Sequence, residues 1–199
     1  TLNGTGTLTA ASYQLTGATV NANLGTGVVL NLGGTSTLNG IAAGDVLVSG
    51  GTLVLGAAER LADSALLEVA SGATLNLGTF SETVAQATLF GTLAGSGLLS
   101  AANYQLDGAT IDANLGGGAV TVSGGTTRLN GTSAAANLQI VSGTLMLGAS
   151  DRLADAADVT IASGATLDLA SYADTINQLV LAGTWNGTAT LTEGVYLPF

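Results

Sequence analysis

Aliphatic and polar residues alternate along this chain in short runs of four or five residues that end at glycine, asparagine or serine. The segments 52–55 (TLVL) and 74–77 (TLNL) are examples, and segments 144–147 and 166–169 repeat them. Two-residue alternation places every second side chain on one face of a strand. The two inward leucines of each segment are therefore predicted to face a core, and the chain as a whole is predicted to consist of many short strands.

Glycine recurs at the ends of these runs in a regular series. Its members are Gly17, Gly34, Gly51, Gly72, Gly91, Gly108, Gly125, Gly143, Gly164 and Gly183, so the steps between them are 17, 17, 21, 19, 17, 17, 18, 21 and 19. Because the steps restart after the fifth, the chain contains two copies of one long unit, from Gly17 to Gly108 and from Gly91 to Gly183. We interpret residues 1–199 as a single solenoid with a first repeat at about 1–91, a second at 92–183 and a partial third at 184–199.

A step of 17 to 21 residues has room for about three short strands and their turns, which is the content of one coil of a parallel β-helix. Each coil buries its inward aliphatic side chains and pairs its backbone with the coils on either side. A left-handed helix of hexapeptide repeats requires a stricter coil, so steps that vary from 17 to 21 favour the right-handed form. We therefore predict an all-β, right-handed parallel β-helix (β-solenoid) of about 10 coils, with glycine at turns that need positive φ or close backbone approach.

The longer coils carry their extra residues at one place, in segments 56–65 (GAAERLADSA) and 148–157 (GASDRLADAA). Their alanine, leucine and charged residues predict one helical turn at a corner, with Leu61 and Leu153 as inward anchors. Insertions in solenoids form loops on one face, and such loops often bind partners. The candidate partner-binding residues are Glu59, Arg60, Asp63, Asp151, Arg152 and Asp155. The alternative interpretation is a surface ion pair within each turn, which contributes about 0 to 1 kcal/mol.

The charge balance excludes several classes of function. The net charge is −10, lysine and histidine are absent, and three arginines are scattered along the chain. Nucleic acids and anionic membranes are held by clustered basic residues, so neither is expected as a partner, and no uninterrupted apolar stretch predicts membrane insertion. Without histidine or cysteine there is no Ser-His-Asp set and no thiolate metal site, and no calcium nonapeptide occurs. We expect no enzyme activity, no cofactor and no metal.

Threonine pairs such as Thr35 with Thr37 raise the possibility of an ice-binding face, on which ranks of threonine order water. These pairs do not recur at one position in successive coils. We therefore interpret them as strand residues on a solvated face.

Aromatic residues are few, and most of them recur with the repeat. Tyr13, Tyr104 and Tyr196 share one register and are predicted to fill the core or a corner. Trp185 stands where the preceding repeat has Leu93, and we expect it to pack as that leucine does.

The strings SGGTLVLGAAERLADSA, VASGATLNLG and TLAGSGLLSAANYQLDGATIDANLG resemble the β-strand repeats of large bacterial exoproteins. These are the passenger-associated repeats of autotransporters and of filamentous-haemagglutinin-type adhesins. The resemblance covers essentially the whole chain except its last few residues. It implies a right-handed β-helix that is secreted across the outer membrane and displayed at the cell surface or released, as an adhesin or a stalk. It implies no catalytic residues.

The expected function is that of a non-enzymatic structural or adhesive module of a secreted or surface-displayed bacterial protein. An uncharged polar surface and flat strands favour lateral association. Solenoid ends need covering, and residue 1 shows no cap, so we also expect end-to-end contacts between copies or with neighbouring repeats of a longer array. Pro198 is interpreted either as the beginning of a cap or as part of a longer array that continues beyond it. Host-surface or matrix ligands are further expected partners. The alternative is a receptor- or glycan-binding module that uses the corner insertions 56–65 and 148–157.

Overall fold

Short parallel strands make up this protein. The computed structural model describes residues 1–198, and in that range it contains strands and turns but no helix. The first thirteen strands are β1 (Thr7–Leu8), β2 (Ser12–Thr16), β3 (Thr19–Val20), β4 (Asn23–Leu24), β5 (Val28–Gly33), β6 (Thr35–Leu38), β7 (Val46–Val48), β8 (Thr52–Leu55), β9 (Leu66–Val69), β10 (Thr74–Asn76), β11 (Ser81–Thr83), β12 (Gln86–Leu89) and β13 (Thr92–Ala94). The others are β14 (Leu98–Ser100), β15 (Asn103–Asp107), β16 (Thr110–Ile111), β17 (Asn114–Leu115), β18 (Ala119–Gly124), β19 (Thr126–Leu129), β20 (Asn137–Ile140), β21 (Thr144–Leu147), β22 (Asp158–Ile161), β23 (Thr166–Asp168), β24 (Asp174–Leu181), β25 (Thr184–Asn186) and β26 (Leu191–Pro198).

Three sides of a solenoid are formed by these strands. One side is an eleven-stranded sheet in the order β2-β5-β7-β9-β12-β15-β18-β20-β22-β24-β26, and another is a ten-stranded sheet that runs from β3 to β25. The third side is discontinuous and contains β1-β4 and β11-β14-β17, extended by isolated bridges from Leu24 to Ala42 and from Ala42 to Leu61. All described pairings along these sheets are parallel, which confirms the predicted parallel β-solenoid of about ten coils.

The register of the eleven-stranded sheet measures the coils directly. Tyr13 pairs with Val29, Val29 with Val46, and Val46 with Leu67, so successive coils advance the residue number by 16, 17 and 21. The second repeat begins with the same step, because Tyr104 pairs with Val120. The ladder is continuous because the extra residues of longer coils leave it at a corner and do not enter a strand.

The core is a stack of aliphatic layers. Leu53, Leu55, Leu75 and Leu77 are at most 1 % exposed, and so are their counterparts in the second repeat. This confirms that the alternating leucines face inward. It also places the polar partners of the alternation, chiefly threonine and asparagine, on the outside of the rod.

The two tyrosines whose side chains the structure describes in the predicted register are buried at a corner, as expected. The Tyr104 hydroxyl donates to the Leu99 carbonyl oxygen (2.8 Å) and accepts from the amides of Ala101 (2.8 Å) and Gly116 (3.0 Å). Tyr13 makes the same three hydrogen bonds one repeat earlier. Each hydroxyl thus satisfies three backbone groups where the chain turns between strands. The side chain of Tyr196 lies outside the described residues.

Trp185 occupies the register position of Leu93, as predicted, but it is not buried as that leucine is. Its strand, β25, is the last of the ten-stranded sheet, and Trp185 pairs with Leu167 on one side only. The indole is 40 % exposed, whereas Leu93 is fully buried between neighbouring coils.

Candidate functional site

The corner insertions 56–65 and 148–157 are irregular turns, so the predicted helical turn is wrong. Glu59 has φ of 52° and Asp151 has φ of 56°, which lie in the left-handed region. A non-glycine residue rarely adopts that region, and it cannot continue a right-handed helical turn. Both insertions therefore follow one strained path, held by contacts from outside the segment.

A buried carboxylate from the following coil holds each insertion in place. Glu82, in β11, is completely buried, and its Oε2 and Oε1 accept hydrogen bonds from the amides of Arg60 (2.8 Å) and Leu61 (2.9 Å). In the second repeat, Oδ2 of the buried Asp174 accepts from the corresponding amides of Arg152 (2.8 Å) and Leu153 (3.1 Å). We call each arrangement, a carboxylate with its two amides, a carboxylate clamp.

The clamp takes the place of a backbone pairing that is missing on the third, discontinuous side of the solenoid. On one side, the backbone around Leu61 pairs with Ala42, which donates to the Arg60 carbonyl oxygen (2.7 Å) and accepts from the Ala62 amide (3.0 Å). On the other side, the Glu59 amide still donates to the Ser81 carbonyl oxygen of β11 (3.2 Å), but the Leu61 amide meets the Glu82 carboxylate instead of a backbone carbonyl. Buried amides need an acceptor, and the side chain supplies it. The anchoring leucines Leu61 and Leu153 are buried, as predicted.

Burial is the main influence on the pKa of both clamp residues. It raises the pKa of Glu82 from its ordinary value of 4.5 to about 7, although the amides of Arg60 and Leu61 act in the opposite direction. The nearby Glu59 carboxylate raises this pKa further, and the Arg60 guanidinium lowers it. Burial also raises the pKa of Asp174, against the amides of Leu153, Arg152 and Thr175. Removing a carboxylate from water disfavours its charged form, so Glu82 changes protonation near neutral pH.

The predicted site residues divide into an exposed set and a set that stabilises the turn. The acidic residues Glu59, Asp63, Asp151 and Asp155 are exposed. Arg60 is half-buried; its Nε donates to the Ala58 carbonyl oxygen (3.0 Å) and its Nη1 to that of Asn39 (2.8 Å). The contacts of Arg152 with Ser150 and Asn130 are equivalent. The guanidinium groups thus bind backbone carbonyls instead of forming the helical-turn ion pairs considered above.

The clamp residues were not predicted as part of the site. Both residues face inward on a strand, at positions where the alternation usually places an aliphatic residue. They stand at equivalent places in the two repeats: Glu82 in SETV (81–84) and Asp174 in ADTI (173–176). A charged residue at the inward phase of two copies is the sequence signal that identifies them. Their partners lie more than twenty residues away, which no local pattern reveals.

Threonine forms a longer row than the sequence analysis indicates. On the ten-stranded sheet five consecutive coils place threonine at one register position, and four further coils do so at another. The first row is Thr35, Thr52, Thr74, Thr92 and Thr110, and the second is Thr126, Thr144, Thr166 and Thr184. The pairs themselves do not recur, because the position beside Thr35 is threonine once and then reads Val54, Asn76 and Ala94. The ten-stranded sheet therefore carries a regular row of threonines beside a row of mixed residues, and not a two-dimensional array of threonines.

Each corner presents exposed carboxylates and one guanidinium group that already donates to backbone carbonyl oxygens. The carboxylate clamp holds the turn that carries them. Such a set can exchange hydrogen bonds with hydroxyl or cationic groups of a ligand. The part of the chain covered by the structure contains no group of three or more acidic side chains placed to hold a metal ion. Within residues 1–198 there is likewise no helix of the length and apolar character needed to cross a membrane.

Comparison of the chain with protein-family models, with curated proteins and with solved structures finds no match. The fold class therefore rests on the geometry described above: a parallel β-solenoid with three sides and a repeated, carboxylate-clamped corner.

Proposed function

We propose that this chain is a non-enzymatic structural and adhesive module of a secreted or surface-displayed bacterial protein, of the kind found in autotransporter and filamentous-haemagglutinin-type repeats. The observation that carries the proposal is the filled interior. Aliphatic side chains of at most a few per cent exposure occupy the stack from coil to coil, so the described rod offers ligands only its outer faces and corners. Stiffness, extension and surface contacts are the activities that such a rod supports.

Lateral association is proposed to use the outer face of the ten-stranded sheet. This face carries the threonine rows at half-buried or exposed positions, and few of its side chains are charged. Flat strand faces with little charge have little to keep neighbouring rods apart. The rod is therefore proposed to pack side by side with copies of itself, as a fibre or a bundled stalk at the cell surface.

Charging the threonine row tests this association. Replacing Thr74 and Thr92 with lysine is expected to convert concentration-dependent oligomers into monomers, because each added charge lies at the centre of the proposed contact. Sedimentation velocity over a wide concentration range measures the change, and electron microscopy distinguishes single thin rods from ordered fibres. The matched control places lysine at Thr121 and Thr160, which are half-buried strand residues of the eleven-stranded sheet, and should leave the oligomers intact. A wild-type chain that is monomeric throughout contradicts the association.

A second candidate function is recognition of a receptor or glycan by the corner insertions. It is favoured by the left-handed backbone at Glu59 and Asp151, which both repeats retain although neither residue is glycine. Strained, externally held turns of this kind are frequent at binding sites. Two equivalent corners, five coils apart, would then present the same acidic surface twice.

Neutralising the four exposed corner acids separates the two functions. The variant E59Q, D63N, D151N and D155N keeps both arginines and both clamps, and we expect glycan-array or cell-binding signals to fall at least tenfold with unchanged circular dichroism. The control removes four carboxylates elsewhere, with D107N, D112N, D158N and D168N, each of which aligns with an uncharged residue one repeat earlier. Equal binding by both variants would rule out the corner as the ligand site.

A further inference from the structure

An apolar patch interrupts the outer face of the eleven-stranded sheet in the first repeat only. Val28 and Leu32 in β5 are 37 % and 47 % exposed, and Leu66 in β9 is 51 % exposed. Leu30 and Leu47, paired with each other between them, are half-buried. Exposed apolar side chains in contiguous positions mark interaction surfaces more often than isolated ones do.

The second repeat shows that the fold does not need this patch. The equivalent outward positions there are Ala119, Thr121, Ser123, Gln139 and Asp158, in strands with the same parallel pairing. Each apolar residue of the patch is thus replaced by a smaller or polar one without loss of the ladder. The patch is a local property of the first repeat and serves something other than coil stacking.

Two carboxylates lie within the same patch and are also specific to the first repeat. Asp45 precedes β7, and its Oδ1 accepts from the Leu66 amide (2.8 Å). Glu68 is exposed and pairs with Leu47. Their counterparts one repeat later are Asn137 and Thr160. Among the described side chains on this outer face, the charged ones are all carboxylates, because the three arginines lie at the corners and on the ten-stranded sheet.

A groove runs through the patch between two columns of side chains. Its first part, of about 220 Å³, is lined by Val28, Asp45, Leu47, Leu66 and Glu68 and reaches Gln86 and Thr88. A second part, of about 320 Å³, shares Gln86 and Thr88 and continues to Asn103, Gln105 and Thr121. Together they cross six strands of the sheet, which spans roughly 24 Å at ~4.8 Å per coil. An extended peptide of about seven residues has that length.

We propose that this groove binds an extended polypeptide segment of a partner protein, with apolar and basic side chains at one end and polar side chains at the other. The apolar end fits Val28, Leu47 and Leu66, and the basic residue pairs with Asp45 and Glu68. Amide and hydroxyl groups of the second part of the groove bind the polar end. A second copy of this chain fits poorly, because it brings Asp45 and Glu68 against the same carboxylates on a chain of equal net charge, −10.

Binding of synthetic peptides to the full chain tests the proposal. The probe is a fluorescent octapeptide in which valine and leucine alternate with lysine in one half and serine alternates with glutamine in the other. We expect measurable anisotropy-detected binding that weakens with salt, and at least tenfold weaker binding of the same peptide with glutamate in place of lysine. Failure of the lysine peptide to bind, or equal binding of both peptides, overturns the proposal.

The internal repeat supplies matched variants. Introducing polar, uncharged residues with L30T, L47Q and L66N is expected to weaken the lysine peptide at least tenfold, and D45N with E68T is expected to remove its salt dependence. Unchanged circular dichroism verifies folding of each variant. If L30T, L47Q and L66N abolish self-association in sedimentation and leave peptide binding unchanged, a second copy occupies the patch and the proposal is wrong.

Discussion

Replacing Gly51 with alanine is expected to lower the free energy of unfolding by about 4 kcal/mol, as the sum of a steric and a conformational cost. Gly51 has φ of +64°, and a Cβ atom there would lie 2.2 Å from the carbonyl oxygen of Gly34 and 2.6 Å from its amide nitrogen. That oxygen accepts the hydrogen bond of the Thr52 amide (2.8 Å). The collision is with backbone of the adjacent coil, so no side-chain rotation relieves it.

Gly108 provides the control because it has the same φ, +64°, and no atom lies within 4 Å of the place that a Cβ atom would take. Its replacement with alanine is expected to cost about 1 kcal/mol, which is the conformational cost of a left-handed residue alone. Urea titration followed by circular dichroism measures both variants. If they are destabilised equally, close coil stacking is not what requires glycine at position 51.

Wild-type protein is expected to lose about 2.5 kcal/mol of stability between pH 5 and pH 8 because of Glu82. The pKa of this carboxyl is 4.5 ordinarily and about 7 in the folded chain, so the folded state binds more protons across that interval. Its contribution is complete below the unfolded pKa and is lost as the pH rises through the folded one. The chain has no histidine and no cysteine, so few other groups titrate in this window.

The variant Glu82→Gln is neutral at every pH and should flatten most of this dependence. The slope that remains is assigned to Asp174, whose pKa burial also raises, and the double variant with Asp174→Asn should remove it. Glu68→Gln, which neutralises an exposed carboxylate in β9 of the eleven-stranded sheet, serves as the control and should keep the wild-type slope. Urea midpoints at closely spaced pH values give the comparison. An undiminished slope in Glu82→Gln would contradict the role of the clamp.

Much of the fold follows from local pattern. Alternation identifies the inward leucines, and the glycine spacing identifies the coils; eight of the ten recurring glycines have positive φ. At the other two, Gly91 and Gly183, a Cβ atom would lie 2.3 Å from a backbone oxygen of the preceding coil. Positive φ is a property of one residue and its immediate turn. Close approach to the preceding coil recurs at the same point of each repeat, so the regular spacing of glycine predicts both.

What the sequence does not predict depends on register between distant coils. The corner insertion has the composition of a helical turn, but its amides are held by Glu82 or Asp174 from another coil. Tertiary contacts override local propensity in this way. The threonine rows are similarly hidden, because coils of unequal length move equivalent residues out of any fixed period. Trp185 differs from Leu93 in its neighbours, not in its place in the repeat.

The ladder of coils also determines how fast this chain can fold. Strand partners in the eleven-stranded sheet lie only about 20 residues apart in a chain of 199, so the relative contact order is about 0.1. That value is in the range of helical bundles and well below that of β-sandwiches. Each coil closes a short loop onto its neighbour, with a modest entropy cost. The protein should accordingly fold by rapid propagation from one formed coil to the next, despite being built entirely from strands and turns in the described range.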